Sequence, residues 1–252
     1  MSQLEKAKEF HSLHRKDAPL VLYNIWDAGG AKALADAGAP AVATGSWSVA
    51  AAQGYRDGEA IPLEFVLQIA KRIAATVDVP LSVDFEGGYA SAPEAITENV
   101  RKIIQAGAVG INFEDQRVGG EGLYDVEEQV QRIRAVRAAA DAEGIPLFIN
   151  ARTDLFLKAG SKGDHAALID DALTRGAAYA DAGADGFFVP ALTDPDLIRK
   201  VCDVSVLPVN VMMRGPLNTL AALDGLGVSR ASFGPGPYAM AMTDLVERYK
   251  AL

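Results

Sequence analysis

One unit recurs along this chain and constrains its fold more than any other feature: a short apolar strand, a loop and an alanine-rich helix. Gly-Ala pairs at Gly38, Gly107 and Gly183 stand where a helix should end and the next strand begin, as glycine C-caps do. Strands that alternate with helices in this way predict a parallel sheet. The predicted strands cover residues 20–25, 41–44, 81–84, 109–113, 147–151, 186–189, 206–211 and 230–233.

Eight such units in 252 residues match a closed (β/α)8 TIM barrel, an α/β fold that would form a single domain over residues 1–252. An open doubly wound sheet is the alternative, but no Gly-x-Gly-x-x-Gly motif follows the first strand. Residues 1–17 carry apolar side chains near helical spacing, which predicts an N-terminal leading helix. We also expect a helix over residues 217–226 and irregular segments after three strands, at residues 46–61, 116–125 and 153–163.

The amino-acid composition limits the classes of partner that the protein is expected to bind. Hydrophobic residues make up 50% of the chain, and the formal net charge is −9. This acidic balance argues against nucleic acid as a partner and disfavours anionic membranes. The N-terminus is charged and no run approaches the roughly 18 apolar residues of a membrane span, so a soluble cytoplasmic protein is expected. The single cysteine, Cys202, excludes an internal disulfide and a multi-cysteine metal site.

The third predicted strand ends in two acids, Asp84 and Glu86, followed by Gly87 and Gly88. Residues two apart on an extended backbone point the same way, so the two carboxylates would lie close together and repel each other. A divalent cation resolves that conflict, and Mg2+ in particular takes carboxylate oxygens while it keeps several waters. The alternative is a strand end with two solvated acids.

Other polar residues also follow the strands, and a barrel brings strand ends into one mouth. Arg152 is a cation expected in that mouth, where its planar fork suits a substrate carboxylate. The loop after the second strand offers successive backbone N–H groups for an anion. The acids expected around one place are Asp57, Asp84, Glu86 and Glu114, and the loop amides are those of Gly45, Ser46 and Trp47.

Structural roles compete with these assignments. Glu114 and Arg152 could form a buried ion pair between adjacent strands, and Trp47 could simply pack a loop. Asp115 and Asp154 fit helix caps or rim ion pairs better than ligands. No histidine ends a strand, which argues against a histidine-based metal site or a catalytic triad.

Taken together and in order, five segments resemble the phosphoenolpyruvate mutase/isocitrate lyase superfamily over residues 20–235. They are residues 44–47, 54–57, 83–89, 111–115 and 150–154. The resemblance implies an α/β barrel that uses Mg2+, with Mn2+ as a substitute, to bind a 2-oxo acid or its enolate. It implies that Asp84 contacts the metal directly, while Asp57, Glu86 and Glu114 hold it mainly through waters. The substrate carboxylate would be taken by Arg152 and by the backbone of Gly45, Ser46 and Trp47, with Asn210 near the other end of the substrate.

The loop over residues 116–124 departs from the family pattern. Isocitrate and methylisocitrate lyases of this family carry a Lys-Lys-Cys-Gly-His loop here, whereas this loop contains no cysteine, lysine or histidine. The asparagine that receives the phosphoryl group in the mutases is also missing. Glu121, Tyr124 and Arg117 are the candidates for a proton partner, and each also fits a lid or surface position.

The sequence thus leads to the hypothesis of a Mg2+-dependent lyase that acts on a small, oxaloacetate-like 2-oxo acid. The reaction would be decarboxylation or C–C cleavage through a metal-stabilised enolate. A phosphonomutase and a 2-oxo acid binding protein without catalysis are the alternatives. The family often exchanges its last helix between subunits, so a homo-oligomer, a dimer or a tetramer, is expected.

Overall fold

The computed structural model describes residues 1–252 and contains eight parallel strands in the order β1-β8-β7-β6-β5-β4-β3-β2. A parallel bridge between Ile25 and Thr44 joins the first strand to the second and completes the ring. The predicted (β/α)8 barrel is therefore confirmed. The strands are β1 (Leu20–Leu22), β2 (Val42–Ala43), β3 (Leu81–Asp84), β4 (Gly110–Glu114), β5 (Phe148–Arg152), β6 (Gly186–Phe188), β7 (Val209–Met212) and β8 (Arg230–Ser232).

Ten α-helices surround or flank the strands. The predicted leading helix is present, and none of the ten is both long and apolar enough to cross a membrane. The helices are α1 (Gln3–Ser12), α2 (Ala28–Asp36), α3 (Ser46–Ala52), α4 (Leu63–Ala74), α5 (Pro93–Gln105), α6 (Val126–Glu143), α7 (Leu155–Ala159), α8 (Ile169–Asp181), α9 (Pro195–Val204) and α10 (Gly236–Lys250).

The structure corrects the expected helices in two places. The helix predicted over residues 217–226 is wrong, because only a 3-10 turn, Leu220–Leu223, forms between β7 and β8. Thr219 before the turn and Asp224 after it have extended backbones, and Gly225 and Gly227 follow with φ angles of 69° and 80°. Two short helices, α3 and α7, also form inside segments that we expected to be irregular.

Helix α1 closes the N-terminal end of the barrel. Its Phe10 is fully buried and meets the ring of Phe148 on β5 edge to face, with the ring centroids 5.5 Å apart. A Cβ atom at Gly110 on β4 would lie only 2.7 Å from the Phe10 ring, so this close approach requires glycine. The Gln3 side chain donates to the carbonyls of Ile104 and Ala108. Aromatic packing and hydrogen bonds thus fix the helix across the lower opening.

His14, just beyond α1, makes this closure sensitive to acid. Its ring stacks on Phe148 at 3.9 Å, and burial lowers the pKa of His14 to about 3, with the charge of Arg230 acting in the same direction. The unfolded chain takes up this proton near pH 6.5, whereas the folded chain does not. The free energy of unfolding should therefore fall as the pH drops from about 6.5 towards 3, by up to about 1.4 kcal/mol per pH unit.

We expect His14→Phe to remove this contribution while it keeps a ring stacked on Phe148. Denaturant unfolding of both proteins between pH 7.5 and 4.5 measures the difference, because the carboxyl groups titrate equally in the two proteins. The wild type should lose stability more steeply than the variant below pH 6.5. Parallel curves would contradict the prediction.

Candidate active site

A cleft of about 200 Å³ opens at the C-terminal ends of the strands, the end opposite α1. It is where the active site of a barrel enzyme is expected. Six of the residues singled out in the sequence line it: Gly45, Ser46, Trp47, Asp57, Asp84 and Arg152.

Asp84, the last residue of β3, is held in this cavity by three neighbours. The backbone N–H of Ser46 donates to Asp84 Oδ2 at 3.0 Å, and Asn112 Nδ2 on β4 donates to Oδ1 at 3.3 Å. The Asp84 N–H in turn donates to the Thr44 hydroxyl at 3.0 Å. Ser46, at the start of α3, and Asn112, on β4, therefore fix the carboxylate, and Thr44 fixes its backbone.

Arg152, the last residue of β5, is surrounded by carboxylates. Its Nε and Nη2 donate to the two oxygens of Asp154 at 2.6 and 2.9 Å, and its Nη1 lies 3.0 Å from Glu114 Oε2. Burial alone would lower the pKa of Arg152, but Glu114, Asp154 and Asp84 together raise it well above its usual value. The guanidinium therefore stays charged with a fixed orientation. The competing interpretation of Glu114 and Arg152 as a buried ion pair matches this geometry, and Asp154 is a buried partner rather than a cap.

Burial and nearby negative charge raise the pKa values of two neighbouring acids. Burial raises the pKa of Glu86 to about 8, and Asp57 and Asp84 act in the same direction. Burial also raises the pKa of Asp57, again with a contribution from Asp84. Three carboxyl groups close enough to repel one another form a place where a divalent cation is favourable.

The structure does not gather all four acids around one point. Only Asp57 and Asp84 line the main cavity; Glu86 lines a small adjoining pocket, and Glu114 faces Arg152. No three histidine, cysteine or acidic side chains stand in a metal-ligating cluster. The donor set fits a cation that one or two carboxylates hold and that water otherwise surrounds, which is the usual coordination of Mg2+.

The expected amide cradle is partly engaged within the protein. The Gly45 N–H donates to the Ile25 carbonyl at 3.2 Å, and the Ser46 N–H donates to Asp84. Trp47 is 41% exposed, lines the cavity and lies edge-on to Tyr238. Of the three residues, Trp47 is thus the one that remains open to a ligand.

Three predicted residues do not reach the cavity. Asn210 is buried beneath it, where its Oδ1 accepts from Ser232 Oγ at 3.1 Å and its Nδ2 has no partner. Glu121 is exposed on the outer loop. The ring of Tyr124 lies between the guanidinium groups of Arg117, at 4.3 Å, and Arg132, at 3.8 Å. No residue of the loop over residues 116–124 lines the cavity in this conformation.

Sequence reasoning missed Arg230, a fully buried arginine on β8. Its Nη2 donates at 3.1 Å to Asn112 Oδ1, and Asn112 in turn donates to Asp84. Burial lowers the pKa of Arg230 to about 9, and Asp84 opposes that shift. An arginine in a short apolar strand was the available signal, because such a side chain must point either to solvent or into the barrel.

The wall built from α7 and from the ends of β6 and β7 has a different character, and β7 stands across the ring of strands from β3. Leu157, Phe188, Pro190 and Met212 give it an apolar surface, and Arg214 stands there as a second cationic residue. Unlike Arg152, Arg214 makes no ion pair with an acid of the chain. This side of the cavity can accommodate a short carbon chain with a second negative group.

Comparison with known proteins agrees with the geometry. A family model described as phosphoenolpyruvate phosphomutase matches residues 10–252. The 2-methylisocitrate lyase of Salmonella typhimurium strain LT2 is 33% identical over 218 residues, which cover 83% of this chain and 70% of that enzyme. The chain belongs to the phosphoenolpyruvate mutase/isocitrate lyase superfamily. Its relatives in this superfamily are lyases and mutases.

Solved structures of the superfamily superimpose closely. A proposed phosphonomutase from Burkholderia cenocepacia J2315 is 48% identical, with a TM-score of 0.96 and 99% of each chain covered. A phosphonopyruvate hydrolase in complex with oxalate and Mg2+ shares the fold, with a TM-score of 0.85, 22% identity and coverage of 98% of this chain and 86% of that one.

The buried contact between Arg152 and Asp154 predicts a stability effect. Asp154→Asn removes one of the carboxylates that hold the buried guanidinium, and we expect it to lower the free energy of unfolding by about 3 kcal/mol. Asp36→Asn is the matched control, because Asp36 pairs with Lys32 on the surface, and there the loss should stay below about 0.5 kcal/mol. Urea denaturation of the three proteins gives both values, and equal losses in the two variants would refute the assignment.

Proposed function

We propose that the protein is a Mg2+-dependent lyase that acts on a small, oxaloacetate-like 2-oxo acid by decarboxylation or C–C cleavage through an enolate. One observation carries the choice of reaction: the cavity lining contains no histidine, cysteine, lysine or tyrosine. Apart from Asp57 and Asp84, which this proposal assigns to the metal, the lining offers no side chain suited to a reaction that needs a dedicated proton carrier on the protein. Decarboxylation of a 2-oxo acid needs only stabilisation of negative charge on the carbonyl oxygen and a final proton, which water can supply.

The residues of the chain supply binding and orientation. Arg152, with its fork fixed by Asp154, and the open backbone at Trp47 take the carboxylate next to the carbonyl. Asp84 is the direct metal ligand in this proposal, and Ser46 and Asn112 keep its oxygens in place. Asp57, Glu86 and Glu114 act through waters, and Asn210 supports the far end of the cavity from below. When bound, Mg2+, or Mn2+ in its place, would polarise the carbonyl and stabilise the enolate.

The distal wall supports a dianionic substrate. Arg214 carries a charge that no acid of the chain neutralises, at the side of the cavity away from Asp84. An oxaloacetate-like compound would place its second carboxylate there. A phosphonate would fit the same position, and the similarity to a proposed phosphonomutase therefore keeps phosphonopyruvate chemistry as the second candidate.

Turnover of oxaloacetate with Mg2+ tests the proposal. We expect pyruvate to form with the wild-type protein and the rate to fall at least a hundredfold in Asp84→Ala, because the direct metal ligand is lost. Addition of a chelator should have the same effect. A coupled pyruvate assay measures the rate above the background that free Mg2+ produces.

Two measurements separate the alternatives. Phosphorus NMR of phosphonopyruvate or phosphoenolpyruvate with the protein would show a new resonance if the chain is a phosphonomutase. Calorimetry that shows tight 2-oxo acid binding without any product over a long incubation would identify a binding protein. Equal oxaloacetate turnover in the wild type and Asp84→Ala would end the lyase proposal.

We also propose a homo-oligomer, a dimer or a tetramer, in which α10 packs against a second copy. Met240, Leu245, Val246 and Tyr249 on this helix are 47–75% exposed, and Pro237 is its only buried residue. An isolated protein rarely leaves such a surface open to water.

Sedimentation velocity tests this assembly. We expect the wild type to sediment as an oligomer and the double variant Leu245→Glu, Tyr249→Glu to sediment as a monomer. Glu247→Ala on the same helix is the control and should keep the assembly. A monomeric wild type would exclude the oligomer.

A further inference from the structure

The turn that follows β3 has an unusual backbone. Glu86, Gly88 and Tyr89 all have positive φ angles, of 50°, 81° and 58°. Two of the three residues carry side chains, for which the left-handed region is unfavourable. Such a conformation persists only where the surroundings hold it, and it tends to occur where function depends on it.

Glu59 holds this turn through its amides. Its carboxylate accepts from the Tyr89 N–H, with Oε1 at 2.8 Å, and it also faces the Gly87 amide. Its own backbone N–H donates to Glu86 Oε2, again at 2.8 Å. One residue therefore contacts both the backbone of the turn and the acidic side chain that the turn carries.

Arg132 holds the same turn through its carbonyls, and it lines the same small pocket as Glu59. Its Nη2 donates to the carbonyls of Gly87, at 2.6 Å, and Ala90, at 3.3 Å. A Cβ atom at Gly87 would lie 3.1 Å from Glu59 Oε1 and 3.5 Å from Arg132 Nη2, so both side chains pack closely against this part of the turn. The Glu59 carboxylate thus accepts hydrogen bonds from amides of the turn, and the Arg132 guanidinium donates hydrogen bonds to its carbonyls. We call this pair of contacts the clamp.

Glu59 is also two residues beyond Asp57, in the loop between α3 and α4. That loop and the turn after β3 come from different β/α units, and each brings one acid towards Asp84. The Glu59 carboxylate is the side chain that joins the loop to the turn.

We propose that Glu59 is a positioning residue that fixes Asp57 and Glu86 relative to each other for cation binding. It contacts no substrate and supplies no ligand itself. This inference rests on the proposed metal site, and it assigns the shape of that site to a contact outside the cavity.

Metal binding by three variants tests the inference. We expect Glu59→Ala to weaken Mn2+ binding at least tenfold, the range found when a residue that supports metal ligands is lost, as measured by titration with electron paramagnetic resonance. Glu59→Gln keeps an oxygen that can accept from Tyr89, so the affinity should stay within about threefold of wild type. Glu64→Ala is the control, because Glu64 makes only an exposed ion pair with Lys102.

Hydrogen exchange of the metal-free protein gives a second, independent measurement. Glu59→Ala should speed exchange of the peptide that contains residues 86–90, and Glu59→Gln should not. If wild type binds Mn2+ but Glu59→Ala binds it equally well, the inference is overturned, even if the variant melts at a lower temperature. If wild type binds no Mn2+, the proposed function fails, and unchanged exchange in Glu59→Ala would then overturn the clamp itself.

Discussion

The structure depends on how negative charge is accommodated at the mouth of the barrel. The charge of Asp84 disfavours ionisation of Asp57 and Glu86, the charge of Asp57 adds to the effect on Glu86, and water is largely excluded from Glu86. Such crowding is costly unless hydrogen bonds, cations or a bound metal compensate for it. The protein supplies part of that compensation itself, through the Ser46 amide and Asn112 at Asp84.

Two arginines complete this compensation, and they differ in kind. Arg152 is ion-paired with Glu114 and Asp154, and these two acids fix the plane of its guanidinium at the cavity wall. Arg230 is buried in the barrel without a direct acidic partner and reaches Asp84 only through Asn112. A positive charge below the acids favours an anionic ligand above them, while it weakens the attraction of the site for a bare cation. The balance between the two suits a complex of a metal ion with an anionic substrate.

The fold was predictable because its signals are local. Glycine caps, apolar strands and helical periodicity lie within short windows, and the barrel follows from their number and order. The helix expected at residues 217–226 was wrong because its apolar periodicity did not reveal that Thr219 and Asp224 are extended, which limits the helical part to one 3-10 turn. The cavity-lining residues Asp57, Asp84 and Arg152 were also predictable, since strand ends converge in a barrel.

Other parts of the site depend on tertiary contacts that no short window contains. The contact of Arg230 with Asn112 and the contact of Glu59 with Tyr89 each join different β/α units. The loop over residues 116–124 was left open by the sequence, because each of its candidate proton partners also fitted a lid or surface position. Stacking of Tyr124 between two arginines instead holds that residue on the outside.

The closure of the lower end of the barrel by α1 limits how molecules enter and leave the cavity. With Phe10 and Phe148 filling the floor, the barrel is a blind well rather than a tunnel. Reactants, solvent and products therefore share one entrance at the C-terminal ends of the strands, where the exposed residues Trp47 and Arg214 line the cavity. A product must therefore leave the cavity before the next reactant can enter it.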